Sequence, residues 1–121
     1  MWIAKEIDVR DMMRVVDVDQ QLLEEIVARL TAAAQPARVI VFGSVATNTA
    51  GADSDIDLLV LLDDVKDPRR ESVRLRGVLR GIAMPLDVMV MATQRFEETK
   101  HVVGGIAYPA HRYGRVIYAA A

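Results

Sequence analysis

A chain of 121 residues is enough for one compact domain and, on size, too short for two. Apolar residues make up 52% of it, which excludes wholesale disorder, and the lack of cysteine excludes disulfides, thiolate metal sites and a cysteine nucleophile. Fifteen basic against seventeen acidic residues leave a net charge of −2, too balanced for a generic nucleic-acid binder. The acids are unevenly placed, with six of the eleven aspartates between Asp53 and Asp67.

Residues 1–18 carry Lys5, Glu6, Asp8, Arg10, Asp11, Arg14 and Asp17, so they lack the apolar stretch of a signal peptide. No apolar run approaches the roughly 20 residues of a membrane span. A cytoplasmic protein without membrane contact is therefore expected. Residues 1–17 read as an N-terminal extension whose apolar side chains, Trp2, Ile3 and Ile7 among them, could dock on the domain or on a partner.

From Asp19 to about Gln35 the pattern predicts a helix. Asp19 is suited to cap it, Leu22, Leu23, Ile26, Val27 and Leu30 form its apolar stripe, and Pro36 stops it. Arg38–Phe42 is β-branched and apolar, a buried strand that ends at Gly43-Ser44. Residues 45–54 read as loop or a short helix start, and Ser54–Leu62 as a second strand. An acidic turn leads into a helix from about Pro68 to Ile82. Pro85–Met91 is a third strand, with the proline at its first position, where a missing N–H does least harm. Thr93 can cap a short helix through Thr99. Residues 101–113 are ambiguous, and Arg115–Tyr118 reads as a final strand. Strands alternating with helices at this length predict a single α/β domain over residues 1–121, a small sheet with helices packed on it.

The chemistry concentrates in Val39-Ile-Val-Phe-Gly-Ser44, ten residues, then Asp55-Ile-Asp57-Leu-Leu-Val60. Side chains alternate across a strand, so Asp55 and Asp57 share a face, with α-carbons about 6.5–7 Å apart. That spacing suits a pair of divalent cations roughly 3.5–4 Å apart. Leu59 and Leu61 continue the same face, so the acids occupy the open end of the strand. A lone D-x-D is commonly just a solvated strand start. Two further features weigh against that reading. Gly43 permits close backbone approach to a ligand, and exposed N–H groups with the Ser44 hydroxyl can hold phosphate oxygens. Asp87, within Pro85-Leu-Asp-Val-Met-Val90, is an acid in an apolar strand, costly if buried unless paired, protonated or metal-bound. If its strand neighbours that of Asp55 and Asp57, three hard carboxylates meet, a set that suits magnesium.

Gly43-Ser44, the ten-residue spacer, Asp55-x-Asp57 and the later Asp87 together resemble the polymerase-β-type nucleotidyltransferase superfamily. The chain is most similar to its minimal nucleotidyltransferases, single-domain proteins often paired with a HEPN partner. The resemblance spans roughly Val18 to Tyr118. It implies a mixed sheet flanked by helices and Mg²⁺-dependent transfer of a nucleoside monophosphate from a triphosphate. Carried over, Gly43 and Ser44 would hold the triphosphate. Asp55 and Asp57 would ligate two Mg²⁺ ions, and Asp87 would complete one metal site and help deprotonate the acceptor hydroxyl. The small HEPN-paired members further imply an antitoxin that moves AMP from ATP to a tyrosine of a ribonuclease toxin encoded by a neighbouring gene. Transfer to tRNA or an aminoglycoside, and non-catalytic blocking of the partner, are the alternatives. The acidic balance disfavours nucleic acid as a direct partner. An oligomer or hetero-complex fits the small domain, because it leaves little room for an acceptor-binding module. Many relatives carry arginines and a glycine where this chain has Val45, Ala46, Thr47, Asn48 and Thr49, a difference that bears on triphosphate contact, nucleotide choice or rate.

Five of the twelve arginines, Arg69, Arg70, Arg74, Arg76 and Arg80, fall on one expected helix. They read as a solvated face, or as contact with an acidic partner or nucleic acid. His101 and His111 have no companion at metal or triad spacing and read as surface or capping residues.

Overall fold

The structure, a computed structural model, describes residues 20–42, 56–82 and 84–121. In chain order these form α1 (Gln20–Ala33), β1 (Arg38–Phe42), β2 (Ile56–Leu62), α2 (Pro68–Val78), β3 (Leu86–Ala92), α3 (Thr93–Thr99), α4 (Ala107–Tyr113) and β4 (Arg115–Ala119). The strands make one mixed sheet in the order β3-β2-β1-β4. β1 runs antiparallel to β2 and β4, and β2 parallel to β3. The α/β class and the mixed sheet are as expected. No described helix is long and apolar enough to cross a membrane. Residues 1–17, the Asp19 cap and the segment 45–54 lie outside the described residues.

Alternation sorts the strands onto two cores. Ile56, Leu58, Val60 and Leu62 of β2 join Val39, Val41, Val88 and Val90 beneath α1 and α2. Leu59 and Leu61 join Ile40 beneath α3 and α4, where Phe96, Ala107 and Ala110 complete the opposite layer. Every residue of β2 except Asp57 is buried, so both faces of this strand are covered.

Local chemistry explains most boundaries. Leu23, Ile26, Val27 and Leu30 bury one stripe of α1, which stops at Ala33, short of Gln35, because the residue before a proline disfavours helical backbone. Asp67 Oδ1 accepts from Arg70 N at 3.1 Å and Pro68 opens α2, a side-chain cap of about 1 kcal/mol. That helix ends at Val78 rather than Ile82, and Gly81 turns the chain at φ +94°. The expected cap at Thr93 is corrected. Ala92 is the N-cap and provides no side-chain bond, while Thr93 lies inside α3 with a buried hydroxyl that has no hydrogen-bond partner. The ambiguous stretch resolves into α4, whose last turn is closed by Gly114 N donating to Ala110 O at 2.9 Å.

Arginines fasten α1 and α2 reciprocally. Arg29 Nη1 donates to Val78 O at 3.3 Å and Arg80 O at 2.8 Å, at the end of α2. Arg74 Nη2 donates to Ala33 O at 2.9 Å, at the end of α1. Each guanidinium satisfies carbonyls that a helix terminus leaves without intrahelical partners and complements its negative dipole end. α2 also fastens the edge strand β3, since Ser72 Oγ accepts from Val90 N at 2.9 Å. A hydroxyl there occupies a backbone group that an edge strand would otherwise offer to another chain.

Two predictions follow from this packing. A Cβ at Gly114 would overlap the Ala110 carbonyl oxygen and come within 2.6 Å of Ile40 Cγ2. Gly114→Ala should therefore lower stability by roughly 1–3 kcal/mol, the usual cost of overpacking, read by chemical denaturation. The second concerns Glu97 of α3, bonded to Lys100 Nζ and to Arg38 Nη2 of β1, both at 2.6 Å. These bonds, Lys100 first, hold its carboxyl at about 2, below the ordinary 4.5. A depressed folded-state value contributes stability above about pH 4.5 and loses it as pH falls toward 2. Melting temperature should thus fall less steeply across that window in Glu97→Gln than in the parent, and parallel curves would refute the linkage.

Candidate functional site

β1 ends at Phe42, which pairs with Asp57 near the start of the antiparallel β2, while β3 starts beside β2. The C-terminal end of β1 and the N-terminal ends of β2 and β3 therefore share one edge of the domain. Parallel pairing sets Ile56 beside Leu86 and Asp57 beside Asp87. Neighbouring strands lie about 4.8 Å apart, and registered residues project to the same face. Two carboxylates thirty residues apart in sequence are thus side by side, with Leu59, Leu61, Met89 and Met91 continuing their face into the α3/α4 core.

Asp57 is half-buried and Asp87 exposed. The expectation that Asp87 stands in a buried apolar strand is corrected here. β3 is the outer strand of the sheet, so its first residues reach solvent, and the Asp87 side chain retains 54% of its exposure. Arg76 of α2 reaches across the edge and places Nη2 3.3 Å from Asp87 Oδ1. This ion pair is one that sequence reasoning missed. The arginine-rich run was the available signal, but only the packing of α2 on β3 selects Arg76 from it.

Of the other expected site residues, Gly43, Ser44 and Asp55 lie outside the described residues, as do Val45–Thr49. Phe42 and Ile56, the described residues that flank this gap, both belong to the end of the sheet that carries Asp57. Among the described residues no group of three histidine, aspartate or glutamate side chains could hold a metal. The donors that are described do fit a hard divalent cation, since Asp57 and Asp87 offer neighbouring carboxylate oxygens on one face, with solvent access at Asp87.

His101 and His111, distant in sequence, meet with ring centroids 5.1 Å apart, and His111 packs edge-on against Phe96. Burial, then the charges of Lys100 and His101, holds the His111 imidazole below its ordinary value. Arg38 stacks over Phe96, 5.0 Å from the ring centroid. Arg38 and Phe42 stand at opposite ends of β1, about 13 Å apart at strand rise, which separates the histidines' neighbourhood from the carboxylates.

Three solved structures share this fold. A toxin–antitoxin complex with AMP-PNP aligns with a TM-score of 0.59 at 17% identity, covering 81% of this chain and 73% of that one. The complex of a tri-AMPylated HEPN toxin with an MNT antitoxin, from Shewanella oneidensis, aligns at 0.54 and 17%, covering 84% and 72%. A provisionally assigned nucleotidyltransferase of Sulfolobus solfataricus aligns at 0.56 and 16%, covering 92% and 86%. No curated protein matches the chain in sequence. Residues 20–105 match the profile of the nucleotidyltransferase domain, a span running from α1 past α3 and including both registered aspartates. With most of its length inside that match, the chain belongs to the nucleotidyltransferase domain family.

Proposed function

We propose that this protein transfers AMP from ATP to a hydroxyl of a protein acceptor, a tyrosine of a HEPN ribonuclease toxin, and so acts as its antitoxin. The observation that carries the reading is the registered pair Asp57 and Asp87 at the open end of the sheet in a nucleotidyltransferase domain. Fold likeness to an MNT antitoxin bound to an AMPylated HEPN toxin, and to a toxin–antitoxin complex with an ATP analogue, supports the choice of nucleotide and acceptor.

In this reading Asp55, Asp57 and Asp87 would hold two Mg²⁺ ions, which would supply charge neutralisation at the reacting phosphate. Backbone N–H groups at Gly43-Ser44 and the Ser44 hydroxyl bind the triphosphate and orient its α-phosphorus. Asp87, exposed at the sheet edge, is reachable by an incoming hydroxyl and takes its proton. The acceptor oxygen bonds to the α-phosphorus as the bond to the β-phosphate bridging oxygen breaks, and pyrophosphate leaves. Arg76, 3.3 Å from Asp87 Oδ1, orients that carboxylate in the free protein.

Incubation with α-labelled ATP, Mg²⁺ and the HEPN-type product of the neighbouring reading frame should label that partner on tyrosine. Asp57→Asn should cut the rate by roughly 10²–10³-fold, the several kcal/mol of charge stabilisation a metal site provides. Asp87→Asn should cut it by about 10²–10⁴-fold through loss of the base. Chelation by EDTA should abolish labelling, and restored Mg²⁺ should rescue it. If the intact protein never labels the partner, the adenylylation reading fails. If Asp57→Asn stops labelling yet still silences the toxin, the protein is a steric antitoxin.

A further inference from the structure

Between α2 and the start of β3 runs a groove of about 390 Å³. Val73, Arg76 and Gly77 line it from the helix, Arg80 from the turn that follows, and Met84 and Leu86 from the strand side. Gly77 is an exposed part of this lining. A Cβ built on this residue meets nothing within 4 Å, and its backbone lies outside the left-handed region. Neither packing nor conformation therefore demands glycine there, and glycine disfavours a helix relative to alanine. Gly114 and Gly81 each have an internal reason in steric contact or positive φ, and Gly77 has none. One turn before it, Val73 leaves 65% of its surface in water.

The rim is cationic. Among the described residues the Arg80 side chain has no ion-pair partner, and neither have those of Arg69 and Arg70, which precede Val73 by one turn. Arg76 lines the groove and touches Asp87 at 3.3 Å, so an occupant would sit one side chain from the candidate site. The lining also selects the class of occupant. It holds no aromatic or histidine side chain on which a base could stack, and it alternates apolar groups with arginines. The chain's net charge of −2 also opposes nucleic-acid binding.

We propose that this groove is the docking seat for a protein segment bearing acidic and apolar side chains, packed across Gly77 with its carboxylates on Arg76 and Arg80. The inference rests on the reading above only in taking the acceptor to be a protein. Seated there, the segment brings its parent protein to the Asp87 edge of the sheet.

The test uses ¹⁵N-labelled full-length protein without nucleotide or metal. The probes are a synthetic helical peptide with leucine and glutamate on one face, its lysine-for-glutamate counterpart, and a single-stranded oligouridylate. The acidic peptide should shift the Gly77 amide and the Arg80 Nε resonances saturably, and the basic peptide should not. Gly77→Leu should melt at or above the parent temperature yet bind at least tenfold more weakly. Arg80→Glu, at an exposed side chain, should do the same to binding and serves if the leucine variant folds poorly. Scattered or absent shifts at millimolar peptide overturn the proposal. So does unchanged binding by either folded variant, or tighter engagement of the same resonances by the oligouridylate. This measurement contains no ATP and so is independent of catalysis: a localised peptide footprint here, together with no label transferred in the separate α-labelled ATP assay, would sink the catalytic reading and leave the seat standing.

Discussion

Strand β2 carries an aliphatic side chain at six of its seven positions, and a strand of that kind must be covered on both faces. The other elements meet that demand. β1 and β3 flank it, α1 and α2 cover one face, and α3 and α4 cover the other. The single polar position, Asp57, lies one residue from the described start of the strand, where the covering layers give way. A carboxylate further along would be enclosed between two apolar layers at a cost of several kcal/mol. The position of the candidate site is thus a consequence of how the core is built.

The same logic governs β3. As the outer strand it has one neighbour, and its free side is managed by α2 through Ser72 and Arg76. An acid at Asp87 is tolerated because this edge is wet and a guanidinium is at hand. The arginine-rich helix proves to be divided in its labour. Arg74 binds the end of α1, Arg76 meets Asp87, and Arg69, Arg70 and, just past the helix, Arg80 remain solvated. Net charge near zero conceals this division, since the acids and arginines are separated in sequence and partly rejoined in space.

Much of the fold was legible from local pattern. The stripe Leu23, Ile26, Val27 and Leu30, the apolar runs of β1 and β2, and Pro36 and Pro68 as helix punctuation each act within a few residues. The failures were also local in kind. Thr93 satisfies the composition rule for a cap, yet the strand continues through Ala92 and the helix begins one residue early. α4 was hidden because Ala107–Tyr113 includes a proline and spans barely two turns, and only two of its residues are buried. Of the candidate site, the D-x-D face and the relevance of Asp87 were readable. The exposure of Asp87 was not, because an apolar strand reads alike at the centre and the edge of a sheet.

The sequence by itself determined the periodicities, and with them which residues form most of the elements and that Asp57 shares a face with Leu59 and Leu61. Alternation along a strand is a property of the backbone alone. Tertiary structure decided strand order and register, and therefore that Asp57 stands beside Asp87, that Arg76 reaches Asp87, and that Arg76 and Gly77 line a groove next to it. Those relations depend on how two apolar cores are buried at once, a non-local balance that no short stretch of residues contains.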